Sequence, residues 1–298
     1  MAIRTVHVVR ELLANLAMSL PVVRGWRVRR GRTACWNVED QVALFLSQSR
    51  MFVEPVGEAA VRGRVVVEVG PGDVIPHGLL FLGMGAKRYL AIDRFLGDVF
   101  APAALKVYEA VLARAPAEIC DGLRERGLHP VSETALRRAC EAGQLVLLRE
   151  PIESPRVAAL DPADLIVSSN AVQHFADIDR AFANMARLLR PDGVMMLRVD
   201  YGALGCWTEY ENPLTFLTVS NGLWRMMGGA RGYPNRRRHS HVIAALRRCG
   251  LTPEVQRVTH FSAEHLRQVR PALAGEFRAL TDHDLLVRDA EMVVRRGG

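Results

Sequence analysis

Short, continuous apolar runs alternate along the chain with stretches in which apolar residues recur at helical spacing. The runs have the length and the β-branched content of strands that are covered on both faces. They are RVVVEVG (64–70), RYLAID (88–93), QLVLLRE (144–150), DLIVSSN (164–170) and GVMMLRVD (193–200). Between the last two runs, Ile178, Phe182, Met185 and Leu189 share one helix face. This alternation predicts an α/β fold with a doubly wound, mostly parallel sheet.

Further elements are predicted at both ends of the chain. Residues 1–60 have the pattern of helices that are joined by a basic, glycine-containing segment at 24–34. Near the C-terminus, SHVIAALRRCGL predicts an amphipathic helix and EMVVRR a final strand.

Two connections between predicted strands are much longer than the ordinary loop of about 2–6 residues. We therefore expect extra helices at about 94–140 and 201–240. Both connections follow the carboxyl ends of strands, the edge at which open α/β sheets bind ligands. We predict that these insertions and residues 1–60 form a helical lid over a core of residues 61–298.

Composition adds limits to this picture. Hydrophobic residues make up 49% of the chain and charged residues 24%, as in ordinary globular domains. No run of about 18 uncharged apolar residues suggests a transmembrane helix. The cysteines have no metal-ligand spacing, which predicts no metal site and a reducing, cytoplasmic location. They are Cys35, Cys120, Cys140, Cys206 and Cys249.

The net charge of +7 comes largely from arginine. Arginines cluster in RGWRVRRGR (24–32) and in NRRR (235–238). Either cluster could meet phosphate or a carboxylate, and the alternative for the first is a solvated basic surface.

The stretch VEVGPGD places a glutamate inside a buried strand, directly before a glycine turn. A Gly-x-Gly turn after a strand lets the backbone approach a ligand closely. The dinucleotide fingerprint requires a third glycine where this chain has Ile75, which argues against NAD and FAD. Glu68 suits a ligand with a cationic end, and Asp93, at the end of the next strand, suits ribose hydroxyls.

These segments resemble the class I S-adenosylmethionine (SAM)-dependent methyltransferases. VEVGPGD is similar to their motif I, AID (91–93) to their second motif, and DLIVSSNAVQHFADIDRAFANMARLLRPDG to their fourth-strand signature. The resemblance covers residues 64–200 and implies a seven-stranded, Rossmann-like sheet with SAM as the cofactor. Residues 78–93 and 200–245 resemble a bacterial subgroup associated with surface-sugar or natural-product gene sets, which include antibiotic biosynthesis.

The resemblance also implies a set of cofactor contacts. Gly70 and Gly72 would lie beneath the methionine part, and Glu68 would receive its amino group directly or through water. The adenine pocket would lie near residues 150–152. The full cofactor-binding set that it implies is Glu68, Gly70, Gly72, Asp93, Arg94, Ser169 and Asn170.

A hydroxyl or ammonium acceptor must lose a proton, and histidine is suited to accept it near neutral pH. His174, just after the fourth strand, is the first candidate base, and the alternative for it is a core histidine that bonds to backbone. His241, paired with Asp200, is the second candidate base. Many relatives have Glu-His where this chain has Gln173-His174. The candidate acceptor-binding residues are Tyr210, Tyr233, Asn235, Arg236 and His239.

The resulting hypothesis is a SAM-dependent methyltransferase that acts on oxygen or nitrogen of a small molecule, a sugar or a secondary-metabolite intermediate. One alternative is a tRNA or rRNA methyltransferase, but no RNA-binding module and no Asn-Pro-Pro-Tyr motif for a flipped base are visible. Another is a non-catalytic SAM-binding module, against which the intact glycine turn and its two acids argue. A homodimer is an assembly that the sequence leaves open.

Overall fold

The computed structural model of the chain describes residues 3–30 and 37–297. One seven-stranded sheet runs through it in the order β3-β2-β1-β4-β5-β7-β6. Strands β1 to β5 are parallel, and β7 pairs antiparallel with both β5 and β6. The predicted doubly wound, mostly parallel sheet is therefore confirmed. The strands are β1 Val65–Val69, β2 Arg88–Ile92, β3 Leu145–Leu148, β4 Ala163–Ser169, β5 Leu189–Asp200, β6 Leu251–His260 and β7 Val287–Arg296.

Helices cover both faces of the sheet and continue beyond it. Within the described residues, none of them is long and apolar enough to cross a membrane. The helices are α1 Thr5–Ser19, α2 Pro21–Arg30, α3 Val38–Val53, α4 Pro76–Gly83, α5 Pro102–Leu112, α6 Ala117–Glu125, α7 Glu133–Glu141, α8 Pro155–Ala158, α9 Ile178–Leu188, α10 Asn221–Gly228, α11 His239–Arg248, α12 Ala263–Val269, α13 Gly275–Arg278 and α14 Asp282–Leu286.

The alternation of side chains along β1 separates two cores. Val66 faces a core that contains residues of α3, α4, α5, α6 and α7. Val67 and Val69 face the opposite core, in which α9 and α11 pack on the sheet. This period of two is the geometry of a strand that is buried on both faces.

A third apolar cluster forms a cap apart from the two faces of the sheet. It contains Trp207, Phe216 and Trp224 from the long connection after β5, together with residues of α12, α13 and α14. Helix α1 adds Val8 and Leu12 to it. The connection at 201–240 therefore does build a separate layer, but its support from residues 263–286 was not predicted.

Two sequence predictions about the lid need correction. The insertion at 94–140 does not form a layer over the strand ends, because α5, α6 and α7 pack into the core on one face of the sheet. The basic segment 24–34 is not simply a joining loop, because Pro21–Arg30 is helical, while residues 31–36 lie outside the described part.

A buried polar cluster lies behind the glycine turn. Glu68 is 3% exposed, and its carboxylate accepts hydrogen bonds from His77 Nδ1 at 2.9 Å and from the Tyr89 hydroxyl. Burial and the neighbouring Glu68 raise the pKa of Tyr89, so its hydroxyl keeps the proton that it donates. The other nitrogen of His77 lies 3.2 Å from the Phe45 carbonyl oxygen. One carboxylate thus joins β1 to β2 and α4, and through His77 to α3.

We expect the Glu68–Tyr89 hydrogen bond to appear as a coupling energy in unfolding experiments. In a double-mutant cycle with Glu68→Leu, which has no acceptor, and Tyr89→Phe, the coupling should be about 1.5–3 kcal/mol, the range for hydrogen bonds to charged groups. Urea unfolding of the single and double variants measures it. Tyr108→Phe is the matched control, because the Tyr108 hydroxyl bonds to Ile75 N and Val99 O instead of Glu68. Additive effects in both cycles would contradict the interaction.

Candidate functional site

The glycine turn after β1 has a backbone that few other residues could adopt. Gly70 and Gly72 have φ angles of 82° and 80°. A Cβ atom on Gly70 would come within 2.2 Å of the Ala171 Cβ, whereas a Cβ on Gly72 would meet nothing within 4 Å. The turn therefore packs against the end of β4 at Gly70 and faces open space at Gly72, where a ligand can approach the backbone.

Asp93 organises this turn from the end of β2. Its carboxylate accepts hydrogen bonds from Gly72 N at 3.0 Å and from Phe95 N at 2.6 Å. Burial raises the pKa of Asp93, and these two backbone bonds oppose that shift. Each carboxylate oxygen has a second acceptor position, so Asp93 can also accept hydrogen bonds from a diol.

The carboxyl end of β4 presents polar side chains beside the same turn. Asn170 adopts a left-handed backbone with φ of 56°, which positions it directly after the strand. Its Oδ1 is buried and has no hydrogen-bond partner among the described residues. Because a buried acceptor without a partner is costly, this atom indicates a donor that a ligand would supply.

Ser169 is held from a distant part of the chain. Gln48 on α3 is 6% exposed and donates a hydrogen bond from Nε2 to the Ser169 Oγ at 2.9 Å. Sequence reasoning missed Gln48, although it interrupts the apolar face that Phe45 and Phe52 define on that helix. Helix α3 therefore reaches the carboxyl edge of the sheet, as was predicted for part of residues 1–60.

His174 lies in a 3₁₀ turn, Val172–His174, that follows β4. Its Nδ1 lies 2.7 Å from the carbonyl oxygen of Gly232, in the long connection after β5. A carbonyl oxygen only accepts hydrogen bonds, so Nδ1 carries a proton, and in the neutral form of such a ring Nε2 is the basic nitrogen. This tautomer is the one that a general base near the strand end requires.

Asn235 holds the turn that carries His174. Its side-chain Nδ2 donates to the carbonyl oxygens of Val172 and Phe175 at 3.0 and 3.1 Å, and its backbone N donates to Gln173 O at 2.6 Å. Asn235 was predicted to contact the acceptor. In the structure it joins the connection after β5 to the His174 turn.

The predicted contact between Glu68 and the cofactor is not supported by the structure. Both carboxylate oxygens bond to His77 and Tyr89 in the core that Val66 also faces. The sequence shows that an acid precedes the glycine turn. It does not show the hydrogen-bond partners of that acid, which come from α4 and β2.

The pairing of His241 with Asp200 is also absent among the described residues. His241 Nδ1 accepts a hydrogen bond from Arg238 N at 3.2 Å and caps the start of α11. Asp200 accepts one from Gly202 N at 2.7 Å, and burial raises the pKa of its carboxyl group. His241 has a defined structural role, and burial lowers its pKa.

Arg236, a predicted acceptor contact, is instead a framework residue. It is 4% exposed and forms an ion pair with Glu276 at 2.9 Å. It also donates to the carbonyl oxygens of Phe216 and Val219. Burial lowers the pKa of Arg236 to about 10. Arg238, fully buried, donates to Tyr201 O at 2.7 Å in the same way. Two of the three arginines in the cluster at 235–238 therefore bond inside the protein, and Arg237 is the exposed one.

The other predicted acceptor contacts also have partners inside the protein. The Tyr210 hydroxyl accepts from Arg4 N at 3.0 Å, and the Tyr233 hydroxyl donates to Glu11. His239 Nδ1 lies 3.2 Å from the Tyr201 hydroxyl, and burial lowers the pKa of His239. The polar and aromatic side chains on this connection were the reason to predict acceptor binding. In the structure the same side chains form hydrogen bonds within the cap.

Arg94, the remaining member of the predicted cofactor set, is exposed and lies 5.2 Å from the centroid of the Phe95 ring. Sequence reasoning missed Arg149, which donates from Nε to Leu96 O at 2.9 Å and fixes the loop that carries Arg94. Arg149 directly follows β3, next to the residues at which adenine was predicted.

The donor and acceptor set at this edge fits SAM. Asp93 offers acceptor positions for a ribose diol, and Gly72 leaves room for close approach to the backbone. The unpartnered Oδ1 of Asn170 fits an ammonium group. The three features lie after β2, β1 and β4, which are neighbours in the sheet.

Comparison with known proteins supports this reading. Residues 127–197 match a protein family described as a methyltransferase domain. No curated protein gives a significant match. The match lies inside the region, residues 64–200, that resembles the class I SAM-dependent methyltransferases, and it supports that resemblance, while the narrower bacterial subgroup stays a prediction.

Several solved structures are similar over most of the chain. YcgJ of Bacillus subtilis is 15% identical, with 87% of this chain and 100% of that chain covered and a TM-score of 0.42. A SAM-dependent methyltransferase of Mesorhizobium loti is 16% identical, with 80% and 93% covered and a TM-score of 0.39. The arsenic(III) SAM methyltransferase CrArsM of Chlamydomonas reinhardtii is 18% identical, with 80% and 65% covered and a TM-score of 0.42. Such distant similarity does not bear on the acceptor.

We expect Asp93→Asn to weaken binding of S-adenosylhomocysteine, the demethylated product of SAM, by about 1–3 kcal/mol. The substitution keeps the size of the side chain but removes the charge and one acceptor from hydrogen bonds to the ribose. Titration calorimetry measures the change. Asp98→Asn is the matched control, because Asp98 accepts from Phe100 N at 3.1 Å in a similar turn outside the site. Equal affinities for Asp93→Asn and the unchanged protein would place the ribose elsewhere.

Proposed function

We propose that this chain, which matches a methyltransferase-domain family at residues 127–197, transfers a methyl group from SAM to oxygen or nitrogen of a small molecule. A sugar or a secondary-metabolite intermediate is the acceptor that we favour, following the resemblance of residues 78–93 and 200–245. The observation that carries the proposal is the placement of the His174 ring, with Nδ1 bonded to Gly232 O, beside the end of β4.

Gly72, Asp93 and Asn170 are the residues that would hold the cofactor. SAM supplies an electrophilic methyl group on a sulfonium when it is bound. The glycine turn fixes the position of the ligand, and the connection after β5 covers the strand ends and limits the access of water. Alignment and exclusion of water are the main contributions that a protein makes to such a displacement.

His174 is the residue that would accept a proton from the acceptor. The bond to Gly232 fixes the tautomer and leaves Nε2 as the basic atom. The same bond joins the turn after β4 to the connection after β5, so the geometry of the base depends on the cap being in place.

The exclusion of Arg236 and Arg238 from the acceptor site favours a small neutral or weakly charged acceptor over a polyphosphate. Both guanidinium groups donate hydrogen bonds to backbone carbonyl oxygens. Arg236 also forms an ion pair with Glu276. Arg237 is the one arginine of the cluster at 235–238 that stays exposed, so the cluster offers a single charge to a nucleic-acid substrate.

We predict that His174→Asn and His174→Ala both lower kcat by about 10²-fold or more, since a general base contributes about 10²–10⁴-fold. Affinity for S-adenosylhomocysteine should stay near that of the unchanged protein, because a base acts in the chemical step. The assay measures methyl transfer to a panel of hydroxylated and amino acceptors, together with calorimetric binding of the product.

The asparagine variant separates catalysis from structure. Its Nδ2 can replace His174 Nδ1 as the donor to Gly232 O, but it supplies no base. Full activity in His174→Asn with loss in His174→Ala would show that the residue only positions the cap. His241→Ala is a further control, expected to reduce the stability of α11 and to leave the chemical step unchanged.

A further inference from the structure

Helix α1 presents an apolar stripe to the outside of the protein. The stripe consists of Val6, Val9, Leu13 and Leu16, which recur every three or four residues and therefore share one side of the helix, and of Leu20, which directly follows the helix. They are 48–68% exposed, a large apolar face for a protein surface.

The opposite side of α1 is firmly attached to the cap. Glu11 is 3% exposed and pairs with Arg231 and Tyr233. Asn15 donates to Met226 O at 2.9 Å and accepts from Ala230 N at 2.8 Å. The stripe is therefore the outer face of a docked helix, held in a fixed orientation by its polar contacts.

Helix α2 follows α1 directly in the chain, and its sequence is rich in arginine. Val22 is 80% exposed and Trp26 53% exposed. The sequence from residue 12 to residue 38 contains no acidic residue and five arginines, Arg24, Arg27, Arg29, Arg30 and Arg32. Leucine, valine and tryptophan beside a run of arginine is the composition of helices that lie in the interface of an anionic bilayer.

We propose that α1 and α2 form a membrane-binding surface that adsorbs to anionic lipid bilayers, with the apolar stripe inserted between headgroups. Charge complementarity favours an anionic bilayer over a second copy of the chain as the partner of this surface. A second copy of the chain carries the same arginine-rich sequence, and residues 12–38 contain no acid with which one copy could neutralise the arginines of the other. A bilayer with anionic headgroups supplies both an apolar layer for the stripe and negative charge for the arginines.

The membrane-binding surface lies one layer from the candidate base. Glu11 bonds to Arg231 and Tyr233, and Gly232 between them bonds to His174. Adsorption would bring the cap close to the bilayer surface. The binding surface itself does not depend on the proposed methyl transfer, and it is tested without an activity assay.

The test is co-sedimentation of the full chain with vesicles. We expect binding to phosphatidylcholine vesicles that contain about one third phosphatidylglycerol, and at least about tenfold weaker binding to phosphatidylcholine alone. Binding to the anionic vesicles should fall as salt is raised, because surface charge is screened. Leu13→Glu/Leu16→Glu should lose binding, and Arg27→Glu/Arg30→Glu should weaken it by about tenfold or more.

Val255→Glu is the matched control, since Val255 is 41% exposed on β6, away from the stripe. It should bind like the unchanged protein, and far-ultraviolet circular dichroism should show that all variants are folded. Equal binding by the unchanged protein and Leu13→Glu/Leu16→Glu would overturn the proposal. So would a dimer in light scattering that these two substitutions dissociate, combined with no binding to anionic vesicles, because a second copy would then occupy the stripe.

Discussion

The buried carboxylate of Glu68 is the constraint on which the candidate site depends. A charge at this position in β1 is costly unless its oxygens are fully bonded. Tyr89 from β2 and His77 from α4 meet that requirement, and His77 also reaches the Phe45 carbonyl of α3. The chain segments before and after the glycine turn are therefore fixed to one another. The turn with its two left-handed glycines therefore starts from a fixed strand end, and Asp93 on the next strand accepts a hydrogen bond from the Gly72 backbone.

The same arrangement explains why functional groups collect at one edge. The carboxyl ends of β1, β2 and β4 are adjacent, so Gly72, Asp93 and Asn170 converge although they are distant in sequence. The cap fixes the turn that follows β4 and carries His174. His174 bonds to Gly232, and Asn235 bonds to both ends of the turn that carries His174. The positions of the candidate cofactor residues thus depend on the sheet, while the orientation of the His174 ring depends on the cap.

Much of the fold could be predicted because buried parallel strands and amphipathic helices have distinct periods. The strand β6 was not assigned, since an exposed edge strand with a proline lacks the apolar run of a central strand. The site could be predicted only in part. Glycine and acid positions after strands follow from topology, so Gly70, Gly72 and Asp93 were found in the expected places. Partners of Glu68, Arg236 and His241 come from distant segments, and no local pattern shows whether an arginine bonds to a ligand or to a buried carbonyl oxygen.

The most direct measurement is a calorimetric titration of the full chain with S-adenosylhomocysteine and, separately, with NAD. We predict saturable binding of S-adenosylhomocysteine at one site and no binding of NAD, since the turn lacks the third glycine of a dinucleotide site. Tighter binding of NAD than of S-adenosylhomocysteine would contradict it.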